Sequence, residues 1–134
     1  RKIVFFGEKE RVNSNVYVSK CLVPCLRVFR QNIFQQDGAR AHTSQDAKLW
    51  FKNNNVELLA GWSARSPDLS PIENLWKDLQ NRVSERHHPK NVMELQAAIE
   101  KEWKKYTNQE INKYVMSFEQ RLKECVRGDG APIK

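Results

Sequence analysis

The chain has 134 residues, of which 40% are apolar and 29% charged, and its 23 basic and 16 acidic side chains give a formal net charge of +7. This length suits about one domain, and the composition excludes collagen-like, mucin-like and low-complexity chains. No run reaches the roughly 18 apolar residues that a membrane span needs, so we expect no membrane partner. The chain starts at Arg1 without a signal-peptide pattern, so we expect a fragment or a processed piece.

The positive charge is concentrated in the first half of the chain. Residues 1–59 hold 10 basic and 5 acidic side chains, a net +5, and residues 60–134 hold 13 and 11, a net +2. An excess of this kind favours a polyanionic partner, although an ordinary basic surface explains it equally well.

The first half of the chain reads as strands alternating with helices. Residues 3–6 form a short apolar run typical of a strand, and Asn13 with Ser14 begins a helix that Pro24 interrupts. Residues 32–36 predict a second strand, which ends at the turn dipeptide Asp37-Gly38. Thr43 or Ser44 then begins a helix with Ala47, Trp50 and Phe51 on one face. Residues 56–59 predict a third strand.

Three helices are predicted in the second half. Ser70, Pro71 and Glu73 have the pattern of a helix start with a capping box, and His87-His88-Pro89 ends this helix. Asn91 with Glu94 begins the next helix. Thr107 with Glu110 begins the last one, which ends at Gly128. The predicted fold class is therefore α/β with a C-terminal helical tail.

Two acids could form a site. Asp37 directly follows a predicted strand, where ligands bind in open α/β sheets, although Asp-Gly is also common in plain turns. Glu73 lies in the first turn of a helix, where a capping box alone explains a glutamate. A right-handed crossover between the strands at 32–36 and 56–59 lets the helix opened by Glu73 reach the sheet end that carries Asp37. Two convergent carboxylates make a hard oxygen site suited to Mg²⁺, and a third acid would be expected.

Four further residues are candidates for contacts with DNA. His42, five residues after Asp37, could orient a phosphate or a metal-bound water, or it could have only structural hydrogen bonds. Arg40 and Arg65 could contact phosphates, or they could be solvated loop residues. Trp62 could stack on an unpaired base, or it could cover a core.

Two strings of residues resemble a known family. "FQQDGARAHTS" at residues 34–44 and "WSARSPDLSPIENLW" at residues 62–76 closely resemble the catalytic domain of mariner-superfamily transposases, in the Tc-like branch. The C-terminal string "SFEQRLKECVRGDGAPIK" is similar to the end of such proteins, so the resemblance covers residues 1–134. It implies an RNase H-like fold and an Asp-Asp-Glu metal triad, in which Asp37 matches the second aspartate and Glu73 the glutamate.

The sequence departs from the family pattern in two ways. The first triad aspartate, the first strands and the N-terminal helix-turn-helix modules lie upstream of this sequence, which implies an N-terminally truncated, partial DDE catalytic domain. In addition, 35 residues separate Asp37 from Glu73, one more than the usual Tc-like spacing. We therefore expect the chain by itself not to cut DNA.

The resemblance also implies a function. It indicates a fragment of a cut-and-paste DNA transposase, which hydrolyses DNA strands and transfers them during DNA integration. Two Mg²⁺ or Mn²⁺ ions per active site, double-stranded DNA at transposon ends and target, a homodimer and a nuclear location belong to that expectation. The alternative is a non-catalytic, degenerate or domesticated module that keeps the fold and binds DNA or another partner.

Overall fold

The computed structural model describes residues 3–29, 31–62, 66–131 and 133. The chain divides into two compact units, residues 1–65 and residues 66–134, and each is described by itself. Arg65, one of the candidate DNA contacts, lies outside the described residues.

The first unit begins with one helical stretch whose pitch changes along its length. It comprises helix α1 (Ser14–Val16), a π-helical turn (Tyr17–Leu22), a 3₁₀ turn (Val23–Cys25) and helix α2 (Leu26–Phe29). The Val16 N–H donates to Asn13 Oδ1 over 3.0 Å, which confirms the predicted start. Pro24 has no N–H and its ring crowds the carbonyl four residues earlier, so the stretch changes pitch around this proline and continues to residue 29.

Two more helices follow Asp37. Helix α3 (Arg40–Thr43) was not predicted, whereas helix α4 (Gln45–Asn53) was. Ser44 caps α4 by accepting a 3.2 Å hydrogen bond from the Ala47 N–H. The chain leaves α4 through Asn55, whose φ of 53° is left-handed and suits asparagine. The core of this unit is built from side chains of the first helical stretch, α4 and the segment after it: Tyr17, Leu22, Ala47, Phe51 and Val56.

The predicted α/β fold with an RNase H-like sheet is wrong for the described residues, which contain helices and no strand. Residues 3–6 have no regular structure. Within the described residues, a single parallel bridge joins Phe34 to Leu58, at the places where two strands were expected. It consists of Phe34 N–H to Glu57 O at 2.8 Å and Leu59 N–H to Phe34 O at 2.9 Å.

The reason is that a parallel sheet needs neighbouring strands and cover on both faces. Ile33, which precedes the bridge, is 58% exposed, so the segment at residues 32–36 is not covered as a central strand would be. Since the described residues provide no third strand and leave Ile33 exposed, the two short extended segments gain too little to form a longer ladder.

The second unit consists of three helices after a 3₁₀ turn (Pro67–Leu69), which confirms the predicted helices. They are α5 (Pro71–Arg86), α6 (Val92–Lys105) and α7 (Asn108–Arg127). Asn91 caps α6, and Thr107 with Glu110 forms the predicted capping box of α7. The capping box predicted at Ser70 is not formed, because the Ser70 side chain makes no capping hydrogen bond to α5.

Helix α5 packs against both other helices of this unit. Its buried residues are Leu75, Leu79 and Val83. Trp76 stacks on Trp103 of α6 with ring centroids 5.7 Å apart, but it remains 39% exposed. Arg82 pairs with Glu110 at one end of α7, and Arg121 donates to the Asp68 carbonyl near the other end. Helix α7 therefore runs antiparallel to α5.

Helix α7 presents an apolar side to solvent. None of its residues is buried, and the large apolar side chains that it exposes are Val115, Met116, Leu122 and Val126. In the described part of the chain, no helix combines the length and the apolar character that crossing a bilayer requires.

Candidate active site

Asp37 begins the turn that leads into α3. The Ala39 N–H donates to Asp37 Oδ1 over 3.0 Å, so the turn predicted at Asp37-Gly38 is present and is closed by the aspartate side chain. The hydrogen bond from Ala39, and next the one from His42, lower the pKa of Asp37. The side chain is 60% exposed. Asp37 is therefore an ionised, accessible carboxylate at neutral pH.

His42 is the side-chain partner of Asp37. Its Nδ1 lies 2.5 Å from Asp37 Oδ1, and its side chain is 25% exposed. The imidazole ring packs on the Tyr17 ring with centroids 4.2 Å apart and planes inclined by 38°. The structure thus places two of the predicted site residues, Asp37 and His42, in direct contact.

Tyr17 and Gln36 complete this arrangement, and neither was predicted to belong to the site. The buried Tyr17 hydroxyl donates to Gln36 Oε1 over 2.8 Å, and Gln36 Nε2 donates to the His42 carbonyl over 3.3 Å. Burial raises the pKa of Tyr17, so its hydroxyl keeps its proton. The only feature of the sequence that could have indicated a role for Gln36 in the site is its position next to Asp37. Tyr17 could be predicted from its spacing only as a core residue.

The described DNA-contact candidates differ in their surroundings. Arg40 begins α3 and is exposed, and it has no ion pair among the described residues. Trp62 is half-buried. Arg40 is therefore available to a phosphate, whereas much of Trp62 is covered.

Glu73 lies in the second unit, in the first turn of α5, and is exposed. Within the described residues its carboxylate has no hydrogen bond or ion pair. Its neighbour Asn74 instead donates to the Ser70 carbonyl over 2.9 Å. The capping role that offered an alternative explanation of Glu73 is thus not observed.

The donor chemistry of these two acids fits a hard divalent cation, since both present exposed carboxylate oxygens. Among the residues that the structure describes, however, no three His, Cys, Asp or Glu side chains cluster closely enough to hold a metal ion. Asp37 and Glu73 are therefore candidate ligands rather than a complete metal cage.

Comparison with known proteins matches the chain to transposases. A family described as "DDE superfamily endonuclease" matches residues 1–96. The Tc3 transposase of Caenorhabditis elegans is 41% identical over 102 residues, which cover 75% of this chain and 30% of that protein. The Tcb1 transposase of Caenorhabditis briggsae is 33% identical over 105 residues, covering 78% and 38%. The Tc1 transposase of Caenorhabditis elegans is 34% identical over 107 residues, covering 80% and 38%.

The chain spans about a third of the length of these relatives, and the aligned share of this chain is three quarters or more in each case. Both the family match and the most similar strings include the segment that carries Asp37 and the one that carries Glu73. The chain belongs to the DDE endonuclease superfamily and is similar to part of the Tc1/mariner-type transposases.

Proposed function

We propose that this chain supplies part of the catalytic site of a transposase that cuts DNA strands and joins them to new DNA with the help of divalent metal. The observation that carries the proposal is the state of Asp37, an ionised and exposed carboxylate that a turn N–H and His42 hold in place. Both hydrogen bonds favour the ionised form of Asp37, which is the form that binds a divalent cation.

Asp37 and Glu73 are the proposed metal ligands, as their positions in the family motif imply. Mg²⁺ or Mn²⁺, two ions per site, would supply activation of the attacking oxygen and stabilisation of the leaving oxygen of the phosphodiester. Each carboxylate would offer anionic oxygens to such an ion, and Arg40, which begins α3 three residues after Asp37, would contact a DNA phosphate.

Double-stranded DNA is the proposed partner, at transposon ends and target. The charge distribution supports this assignment, because residues 1–59, which include Asp37 and Arg40, carry the larger positive excess. Arg65 and Trp62 are further proposed DNA contacts. A nuclear location and a homodimer follow from the same proposal.

The 134 residues of this chain carry two of the three acids that the family motif implies. A two-metal site needs enough anionic oxygens to hold both cations against their mutual repulsion. We therefore propose that this chain, tested by itself, does not cleave DNA, and that the remaining acid of a working site comes from outside this stretch.

A plasmid-nicking assay tests the proposal. The purified chain should not nick supercoiled plasmid with Mg²⁺ or Mn²⁺. A longer version that adds the upstream part of a Tc-like catalytic domain should nick, and Asp37→Asn or Glu73→Gln should each abolish that activity. Glu100→Gln, an exposed acid on α6, is the matched control and should nick normally. Nicking that survives both substitutions would contradict the proposed roles of these acids, and a longer protein that binds DNA without nicking would support the non-catalytic alternative.

A further inference from the structure

We infer that Tyr17 and Gln36 form a positioning network that holds His42, so that His42 fixes one oxygen of Asp37 and leaves the other as a single open ligand atom. The inference rests on the proposed function, because it concerns how Asp37 meets a metal ion. It assigns a role to Tyr17 and Gln36 and changes the role expected of His42 from DNA contact to positioning residue.

The hydrogen bonds to Asp37 show which oxygen is open. The Ala39 N–H at 3.0 Å and the His42 Nδ1 at 2.5 Å both reach Oδ1. Among the described residues no donor reaches Oδ2. Because the Ala39 N–H and the His42 ring both meet on Oδ1, rotation of the carboxylate would break both hydrogen bonds, and Oδ2 is the oxygen left open to a cation. The geometry favours a ligand that binds a cation through one oxygen.

His42 is itself held in two ways. The Tyr17 ring lies against the imidazole, with centroids 4.2 Å apart, and limits its rotation. The backbone of His42 is tied by its carbonyl, which accepts a hydrogen bond from Gln36 Nε2. An imidazole without these supports could rotate out of reach of Asp37.

Gln36 links the buried part of the unit to this turn. Its Oε1 accepts from the Tyr17 hydroxyl while its Nε2 donates to His42, so both ends of the amide are used and its orientation is determined. Tyr17 is 6% exposed and belongs to the core of the first unit. The network therefore connects a rigid core residue to an exposed carboxylate through three hydrogen bonds and one ring contact.

This arrangement separates the two nitrogens of His42. Nδ1 is used for Asp37, and Nε2 has no hydrogen-bond partner among the described residues. An asparagine at this position can offer its amide N–H close to where Nδ1 stands, whereas the longer glutamine reaches the place of Nε2. The two substitutions therefore distinguish a positioning role from a direct contact with DNA.

The experiment is a Mn²⁺ titration of the 134-residue chain, followed by paramagnetic broadening of the Gly38 and Ala39 backbone amide signals. We expect His42→Gln to weaken Mn²⁺ binding, as measured at these amides, by about tenfold. This is the lower end of the loss in metal affinity seen when the hydrogen-bond partner of a metal ligand is removed. His42→Asn should restore most of the affinity. Tyr17→Phe keeps the ring but removes the hydroxyl, and should weaken binding less than His42→Gln does.

Two controls make the result specific. His88→Gln changes an exposed histidine of the second unit and should leave the broadening of Gly38 and Ala39 unchanged. Thermal unfolding is the second control and identifies any variant that loses its fold. As a separate readout, long-range ¹⁵N–¹H spectra of the His42 ring should show a proton on Nδ1 in the parent chain and in Tyr17→Phe.

The outcomes separate this inference from the proposed function. If Asp37→Asn abolishes the broadening but folded His42→Gln binds Mn²⁺ as the parent does, the positioning role is wrong and the metal role of Asp37 stands. The positioning role is equally wrong if His42→Asn binds as poorly as His42→Gln. If the parent shows no broadening, or Asp37→Asn retains it in full, the metal role of Asp37 is wrong and the network has no ligand to position.

Discussion

Glu102 of α6 is fully buried and lies with Oε1 2.7 Å from Nε2 of His87, the residue that ends α5. Lys105 Nζ is 2.6 Å from the same oxygen, and Arg86 binds the other oxygen at 3.0 Å. These hydrogen bonds, with that from Lys105 the strongest influence, lower the pKa of Glu102 to about 2. One buried carboxylate thus ties the end of α5 to the end of α6.

The stability of the second unit should fall in acid because of this group. The folded-state pKa of about 2 lies below the ordinary value of 4.5, so the charged carboxylate stabilises the fold above about pH 4.5 and this contribution is lost as the pH falls from about 4.5 towards 2. Urea unfolding between pH 2 and 7 measures this dependence of the free energy of unfolding on pH. Glu102→Gln should flatten that dependence, and Glu100→Gln on the same helix should not. Equal slopes for Glu102→Gln and the parent would contradict the role of Glu102.

Removing the Tyr106 hydroxyl should destabilise the second unit. Tyr106 is 1% exposed, its hydroxyl donates to Asp78, and Arg82 lies 4.1 Å above its ring. Tyr106→Phe keeps the ring and the cation–π contact but loses a hydrogen bond to a charged group, so we expect a loss of about 2 kcal/mol in the free energy of unfolding.

A double-mutant cycle assigns this loss to Asp78. If the hydroxyl acts through Asp78, Tyr106→Phe should cost much less in an Asp78→Ala background than in the parent chain. An undiminished cost would show that the hydroxyl stabilises the unit by some other contact.

Truncation of two residues of α4 should change the stability of the first unit by very different amounts. Phe51 is 3% exposed in the core of the first unit, whereas Leu49, two positions earlier, is 55% exposed. Phe51→Ala should lower the free energy of unfolding of this unit by about 3–5 kcal/mol, because it removes buried surface and leaves a cavity. Leu49→Ala should change it by less than about 0.5 kcal/mol. Similar losses in urea titrations of the two variants would mean that α4 buries a different face.

Arg40 should contribute to DNA binding through charge alone. If it contacts one phosphate, Arg40→Ala weakens binding to all DNA sequences alike and reduces the slope of log affinity against log salt by about 1. Fluorescence anisotropy at several salt concentrations measures both quantities. Lys104→Ala, which removes an exposed cation that pairs with Glu100 in the second unit, is the control and should leave the slope unchanged. An unchanged slope for Arg40→Ala would exclude a phosphate contact.

The helices could be predicted because their signals are local. Asn91 and Thr107 cap helices whose first turns carry Glu94 and Glu110, and the structure shows these hydrogen bonds. Ser70 has the same kind of sequence signal and lacks the capping hydrogen bond, so the pattern located the start of α5 correctly but not its interactions.

The strands could not be predicted with the same success, because a strand depends on partners that are distant in the sequence. Residues 32–36 and 56–59 have suitable side chains, but only Phe34 and Leu58 pair.

The residues of the site also divide into those that are close in sequence, which could be predicted, and those brought together by tertiary packing, which could not. Asp37 and His42 lie close in sequence and were identified together, whereas Tyr17, 20 residues before Asp37, reaches the site only through tertiary packing.

The π-helical turn at Tyr17–Leu22 makes the length of this segment important. Residues five apart in an α-helix point about 140° away from each other, but in this wider turn, where the Val23 N–H reaches back to the Val18 carbonyl, Tyr17 and Leu22 both face the same core. Deleting one residue between them would allow an ordinary α-helical turn, in which side chains four positions apart lie on the same face and both would still reach the core. Chains that lack one residue at positions 18–21 should therefore have a regular α-helix here and should keep Tyr17 as the support of His42.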